Sequence, residues 1–176
     1  MEQLTPMMQQ YMETKNEYKD CILFYRLGDF YEMFFDDAIC AHKELELTLT
    51  GKSCGLKERA PMCGVPFHSA ETYINRLVER GYKVAICEQV EDPKLAKGLV
   101  KREVTRIVTP GTNCFTGSLD ETRNNYLMGI VSVDHSFGIS IVDVTTGEYM
   151  LTEVESVSKL LDEVNKFMPA EIICND

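Results

Sequence analysis

The sequence lacks the features that would place it in a membrane or outside the cell. It has no run of about 18 apolar residues, the length that a transmembrane helix needs. The opening segment MEQLTPMMQQ has neither the basic start nor the apolar stretch of a secretory signal peptide. None of the seven cysteines forms a CxxC pair, and several lie in apolar runs such as CILFY and AICEQ. We therefore expect a cytoplasmic protein with reduced and mostly buried thiols.

Basic residues are scarce in the C-terminal third. The 176 residues carry 18 Lys and Arg against 28 Asp and Glu, a net charge of −10. Residues 1–110 hold 15 basic and 17 acidic side chains, whereas residues 111–176 hold 3 and 11, a net charge of −8. This excludes a uniformly basic nucleic-acid coat, but the N-terminal part can still present a basic face.

The residue pattern predicts an α/β fold with mixed sheets. In the N-terminal part we expect a helix from Pro6, a hairpin, a second helix capped by Asp36 or Asp37, and a loop over 50–59. A third helix is capped by Ser69, and strands follow over 82–89 and 103–109.

The pattern changes after residue 125. Three short apolar runs separated by turn residues predict an antiparallel meander, followed by one amphipathic helix and one more strand. We place the first domain at 1–115, a linker at 116–125 and a second, incomplete α/β domain at 126–176.

Three catalytic or metal-binding interpretations have little support. Gly51-Lys52-Ser53 ends like a phosphate loop, but Glu46 stands where that motif needs glycine. Cys54, Cys63 and His68 are too widely spaced for a usual zinc site, and buried thiols are the default. Asp134 and Asp143 lie at predicted strand ends, where a nuclease would hold magnesium and where ordinary turn acids also lie.

The run LGDFYEMFF, residues 27–35, is more informative. If it is a strand, Phe30 and Glu32 share one face, and Tyr31 and Met33 share the other. From the residues alone, a half-buried edge strand with a solvated glutamate is the simpler interpretation. The functional alternative is a DNA site, in which an exposed Phe wedges between base steps and a carboxylate contacts a base edge.

Basic side chains that could hold DNA phosphates beside such a wedge are grouped in loops and on one helix. The candidates are Lys52, Lys57, Arg59, Arg76, Lys94, Lys97 and Arg102.

Three long motifs match a known family: FYRLGDFYEMFFDDA, PMCGVPFHSAETYINRLVERGYKVAICEQVEDP and REVTRIVTPGT, together with the opening TPMMQQY. Over roughly residues 4–112 the chain resembles the N-terminal mismatch-recognition domain of bacterial MutS proteins. The segment after the linker resembles, less distinctively, the start of the family's connector domain, which is ribonuclease H-like without the catalytic acids.

The resemblance implies binding of mismatched or looped-out bases in double-stranded DNA at the start of mismatch repair. The family's Phe-x-Glu motif falls on Phe30, which would stack on the mispaired base, and Glu32, which would hydrogen-bond it. Gly28 and Asp29 would form the turn that presents them. The segment Pro61-Met62 resembles a neighbouring loop at the DNA.

The resemblance also implies what lies elsewhere in the family. ATP and magnesium belong to a part beyond Asp176, so we expect no cofactor and no enzymatic activity in this chain. The homodimer of the family belongs to full-length members, and other repair proteins would bind the connector. No membrane partner is expected. The alternative is a protein-interaction module with little DNA binding of its own, which the net charge of −8 would suit.

Overall fold

The computed structural model describes residues 3–91, 98–114 and 124–175. The chain divides into two compact units, Met1–Val108 and Thr109–Asp176. The division falls earlier than residue 115 because the turn Pro110–Thr112 packs with the second unit, where the Gly111 amide donates to Glu171 Oε2 at 3.0 Å. The predicted linker, apart from its last two residues, lies outside the described residues.

The first unit is built on a six-stranded mixed sheet, which confirms the predicted α/β class. Its helices and strands are α1 Pro6–Glu17, β1 Cys21–Leu27, β2 Phe30–Phe34, α2 Phe35–Leu45, β3 Thr50–Lys52, β4 Ala60–Pro66, α3 Ala70–Glu79, β5 Lys83–Gln89 and β6 Arg102–Val108. The strand order is β3-β4-β2-β1-β5-β6. Strand β1 pairs parallel with β5, and the other neighbouring strands pair antiparallel.

Helix α1 covers one face of this sheet. Met8 and Tyr11 of α1 are fully buried there, and Tyr11 packs edge-on against Tyr25 and Phe34 with ring centroids 5.3 and 4.9 Å apart. Helix α2 lies on the other face, where Cys63 Sγ approaches the Ala38 carbonyl. Since successive strand residues point to opposite faces, the alternation along β2 decides which side chains α1 can cover.

Three predictions for this unit are wrong. Residues 50–52 form β3 rather than loop, and Pro61 and Met62 lie within β4 rather than in a loop, because β4 pairs on both sides, with β2 and β3. Neither Asp36 nor Asp37 caps α2. The N-cap is Phe34, and Asp37 is buried in the first turn, where its Oδ2 accepts the Leu23 amide at 3.0 Å.

The second unit contains the predicted meander, helix and final strand. Its elements are β7 Tyr126–Val133, β8 Ser136–Asp143, β9 Glu148–Val154, α4 Val157–Phe167 and β10 Glu171–Cys174. The sheet order is β10-β7-β8-β9, with β10 parallel to β7. The sequence predicts one apolar face of α4 made of Val157, Leu160, Leu161, Val164 and Met168, and this prediction is partly wrong. Leu160, Val164 and Phe167 pack against the core, whereas Leu161 is exposed.

Candidate nucleic-acid interface

The hairpin β1–β2 turns through two residues, Gly28 and Asp29. Gly28 has φ +60°, and Asp29 is not among the residues with positive φ, which is the pattern of a type II′ turn with glycine first. The Asp29 carbonyl accepts a hydrogen bond from the Phe67 amide at 2.9 Å. The turn is thereby tied to the segment that follows β4, so Phe30 begins its strand from a fixed point.

Phe30 and Glu32 share one face of β2, as the alternation predicted. Phe30 is 47% exposed and Glu32 is half-buried, while Tyr31 and Met33 between and beyond them are buried. The face is the one that α1 covers further along at Phe34. Phe30 and Glu32 therefore lie where this face emerges beyond the helix and becomes accessible.

A depression of about 280 Å³ lies beside these two side chains. Its lining includes Phe30, Glu32, Thr48, Thr50, Met62 and Gly64. Gly64 is the register partner of Glu32, and a Cβ there would come within 3.2 Å of the Tyr31 carbonyl oxygen and 3.4 Å of Glu32 Cγ. The glycine thus leaves open the space beside the carboxylate. Sequence reasoning missed Gly64 and Thr48; a glycine inside a strand was the available signal for a close approach.

Glu32 forms an ion pair with Lys52. The Lys52 Nζ donates to Glu32 Oε2 at 2.5 Å, and the side chains are 33% and 16% exposed, respectively. The same ammonium lies 5.6 Å from the centroid of the Phe34 ring. Lys52 was predicted as a phosphate contact, and its pairing with a residue 20 positions away leaves no signal in the sequence.

The opposite face of the hairpin holds a second cluster, which the sequence did not reveal. The Arg26 guanidinium lies 3.9 Å from the Phe67 ring centroid and its Nε donates to the Gly28 carbonyl. Tyr31 donates to Glu88, and burial together with this carboxylate raises the pKa of Tyr31 to about 12. The Tyr31 phenol therefore stays protonated near neutral pH. The contacts of Arg26 with Phe67 and with the Gly28 carbonyl restrain the turn on this face of the hairpin.

Three of the predicted phosphate contacts lie on β3 and in the β3–β4 connection, whereas Arg76 and Arg102 lie on other elements. Arg59 packs beside Gly51 of β3, the strand that carries Lys52, and Lys57 is exposed in the same β3–β4 connection. Arg76 is half-buried on α3. Lys94 and Lys97 lie outside the described residues.

Arg102 is held inside the fold. Its Nε donates to the Arg26 carbonyl at 2.8 Å, and its Nη1 donates to Gln10 Oε1 at 3.0 Å and to the Val100 carbonyl at 2.9 Å. Its guanidinium carbon also lies 5.2 Å from the Tyr25 ring centroid. Arg102 therefore links α1, β1 and β6, and its role at a phosphate stays a prediction.

The residues of the weaker interpretations have other partners. Cys54 Sγ approaches the Glu58 carbonyl at 3.3 Å, and Cys63 Sγ approaches Ala38. Residues 51–52 of the phosphate-loop-like segment belong to strand β3, and no group of three or more potential metal ligands occurs among the residues that the structure describes.

Asp143 is a turn acid, fully buried at the end of β8. Its Oδ1 accepts from the Thr145 amide and hydroxyl at 2.9 and 2.6 Å, and its Oδ2 accepts from the Asn125 amide at 3.1 Å. Burial alone would raise its pKa, but these hydrogen bonds outweigh burial and lower it. Asp134 is exposed in the β7–β8 turn with φ 52°. The carboxylate of Asp143 is already used by the fold.

The cysteine side chains are mostly buried, as the apolar runs around several of them predicted. All seven cysteines are free: Cys21, Cys54, Cys63 and Cys87 are buried, Cys40 is half-buried, and Cys114 and Cys174 are exposed. Within the described ranges, no helix is both long and apolar enough to cross a membrane.

The fold and the exposed Phe30–Glu32 face define a mixed α/β protein with a candidate nucleic-acid interface. The family profile described as MutS domain I matches residues 5–115, and that of MutS domain II matches residues 125–176. The chain belongs to the MutS family, as its motifs indicated.

Relatives called DNA mismatch repair protein MutS align along nearly the whole chain. The protein from Lachnoclostridium phytofermentans is 73% identical, that from Acetivibrio thermocellus 64%, and that from Ruminiclostridium cellulolyticum 61%, over 99%, 99% and 98% of this chain. The chain spans about one fifth of the length of these relatives, 19%, 20% and 20% respectively.

Proposed function

We propose that this chain binds mismatched or looped-out bases in double-stranded DNA and thereby initiates mismatch repair. Phe30 inserts at the mispair from the minor groove, and Glu32 hydrogen-bonds the displaced base. The observation that carries the proposal is the accessible face of β2, on which an exposed aromatic ring stands two residues from a carboxylate. Membership in the MutS family and the names of its relatives support the same function.

The free energy of binding should favour a mispaired site in DNA over a fully matched one. Wedging an apolar side chain between base steps requires a few kcal/mol of unstacking, and a mispaired base is easier to displace. A ring that stacks on the base returns about 1–3 kcal/mol. Phe30 needs no rearrangement to become accessible, and the fixed turn behind it limits the entropy lost on binding.

A carboxylate near DNA is repelled by phosphates, so it contributes only where it accepts a hydrogen bond from a base edge. Glu32 is half-buried beside the depression that Gly64 leaves open. Glu32 should therefore affect the choice between mismatched and matched DNA more than the affinity for DNA in general.

Fluorescence anisotropy at low salt tests this function. The protein is titrated into a labelled duplex with one G·T mismatch and into its matched twin. We expect Phe30→Ala to abolish the preference for the mismatch, because stacking worth about 1–3 kcal/mol is lost. The matched control is Ile107→Ala, since Ile107 is similarly exposed, at 42%, on the strand at the far edge of the sheet.

A mismatch preference that survives Phe30→Ala would overturn the proposal. The variant Glu32→Gln refines the result: it should change the ratio of the two affinities while leaving the binding of matched DNA nearly the same. Labelled duplex incubated with magnesium should remain uncut, because we propose binding and no catalysis.

A second candidate is an interaction module for other repair proteins. The net charge of −8 in residues 111–176 favours a protein partner over DNA for this segment. In this proposal the connector-like second unit contacts repair proteins, and dimerisation and ATP binding belong to longer family members. DNA affinity that is weak and insensitive to salt would favour this candidate.

A further inference from the structure

The ion pair between Lys52 and Glu32 is a feature of the site that the proposed function does not yet explain. Lysines that bind phosphates usually extend into solvent, but the Lys52 ammonium lies 2.5 Å from Glu32 Oε2 and 5.6 Å from the centroid of the Phe34 ring. Its side chain is only 33% exposed. Its position is thus set by a carboxylate and an aromatic face of the same protein.

Only one oxygen of Glu32 is occupied in this way. In the part of the chain that the structure describes, Oε2 accepts from Lys52, and no hydrogen bond to Oε1 is found. A carboxylate anchored by one oxygen has a fixed orientation and keeps acceptor capacity on the other. The geometry therefore fixes the Glu32 side chain through Oε2 and leaves Oε1 able to accept a hydrogen bond from a ligand.

The ion pair between Lys52 and Glu32 also reduces the repulsion that an acidic side chain would experience beside DNA phosphates. A lone carboxylate beside the phosphates would be repelled, whereas a carboxylate paired with an ammonium presents little net charge. Strand β3 carries Lys52, and β4 separates it from β2, so the contact depends on the pairing of three strands.

We propose that Lys52 is a positioning residue for Glu32, which holds and neutralises the carboxylate beside Phe30, and that it makes no direct phosphate contact. This inference rests on the proposed function for its effect on DNA, but the pairing itself exists without DNA. Lys52 would therefore matter only when Glu32 is present.

The first test uses the protein without DNA. Unfolding is measured for the wild type, Lys52→Met, Glu32→Gln and the double variant. We expect a coupling of about twofold to fivefold in the unfolding equilibrium constant, the range of partly exposed ion pairs. Additive effects of the two substitutions would overturn the positioning role, whatever the protein does with DNA.

The second test repeats this cycle with the mismatched and matched duplexes. Lys52→Met should reduce the preference for the mismatch about fivefold when Glu32 is present and should have no effect in the Glu32→Gln background. Lys52→Arg should keep the preference, because it keeps the charge. Lys43→Met, at an exposed lysine in the last turn of α2, is the matched control and should change nothing.

The opposite result would identify a phosphate contact. In that case Lys52→Met weakens binding to both duplexes equally in both backgrounds, and the slope of log K against log salt decreases by about 0.9. A wild-type protein without any mismatch preference would overturn the proposed function, while the DNA-free cycle would still decide whether Lys52 positions Glu32.

Discussion

At the level of single residues, the backbone conformation of Gly28 shapes the turn from which Phe30 begins strand β2. Its φ of +60° lies in the left-handed region, and a Cβ built there would meet nothing within 4 Å. The penalty for any other residue is therefore conformational and not steric. Asparagine is more compatible with primed turns than alanine because its side chain can hydrogen-bond the local backbone.

We expect Gly28→Ala to destabilise the first unit by about 1–2 kcal/mol and to weaken the mismatch preference, because the turn must distort. Gly28→Asn should have a smaller effect on both. Thermal unfolding and the anisotropy assay measure the two effects. Gly138→Ala is the control, since φ there is not positive and the nearest atom, the Val131 carbonyl oxygen, is 3.9 Å away. Equal effects of alanine and asparagine at position 28 would contradict this account.

We expect the cysteines to differ in reactivity because they differ in burial. Burial raises the pKa of Cys63 and of Cys87 to about 12, and that of Cys21 to about 11. Thiols at these values hold almost no thiolate near neutral pH, and the thiolate is the nucleophile.

Alkylation with iodoacetamide at pH 8 should modify Cys114 and Cys174 first, because these two are exposed. Peptide mass spectrometry over time would show half-buried Cys40 reacting more slowly and the four buried thiols reacting only when urea unfolds the protein. Fast modification of Cys63 in the native protein would refute the burial argument, and a urea-unfolded sample provides the reference rates.

At the scale of elements, the β8–β9 turn depends on the charge of Asp143. Hydrogen bonds from Thr145, Thr146 and Asn125 hold its pKa below the ordinary value of 3.8, against the opposing effect of burial. A carboxyl group whose pKa is lowered on folding adds stability above its unfolded pKa. That stability is lost as the pH falls through the folded value.

We therefore expect the second unit to lose stability as the pH falls below about 4. Asp143→Asn should be less stable at pH 7 by about 1–3 kcal/mol, because an amide nitrogen replaces one acceptor, and the difference should shrink in acid. Urea unfolding followed by NMR signals of β8 measures this. Asp134→Asn, at an exposed turn residue, is the control. A difference between wild type and Asp143→Asn that stays constant from pH 7 to pH 3 would contradict it.

At the scale of the whole molecule, charge is distributed unevenly along the chain. Residues 1–110 are nearly balanced and residues 111–176 carry a net charge of −8. DNA binding by Lys and Arg releases counterions from the duplex, so its affinity falls with salt in proportion to the number of phosphates contacted.

We expect the affinity for matched duplex to fall steeply between 50 and 200 mM KCl, by about 0.9 log units per log unit of salt for each phosphate contact. Phe30→Ala should leave this slope unchanged, because an apolar side chain neutralises no phosphate. Anisotropy at four salt concentrations gives the slope. A slope near zero would instead favour the protein-interaction function for this chain.

The local features of the fold could be predicted from the amino-acid sequence alone. Strict alternation along β2 placed Phe30 and Glu32 on one face, and Gly28-Asp29 marked the turn before them. The apolar residues of α3 recur at helical spacing, and Ile74 and Leu77 among them are buried. These features depend on residues a few positions apart, so the pattern of apolar and polar residues along the sequence predicts them.

The contacts between residues that are distant in the sequence depend on the tertiary structure. Pairing of β4 between β2 and β3 turned a predicted loop into strand and brought Lys52 to Glu32. Packing of the first unit buries Asp37, which the sequence had suggested as a cap of α2. It also brings Arg102 within hydrogen-bond distance of Gln10 on α1. Strand order and register are set by the burial of apolar surface over the whole unit, and no short segment of the sequence contains that information.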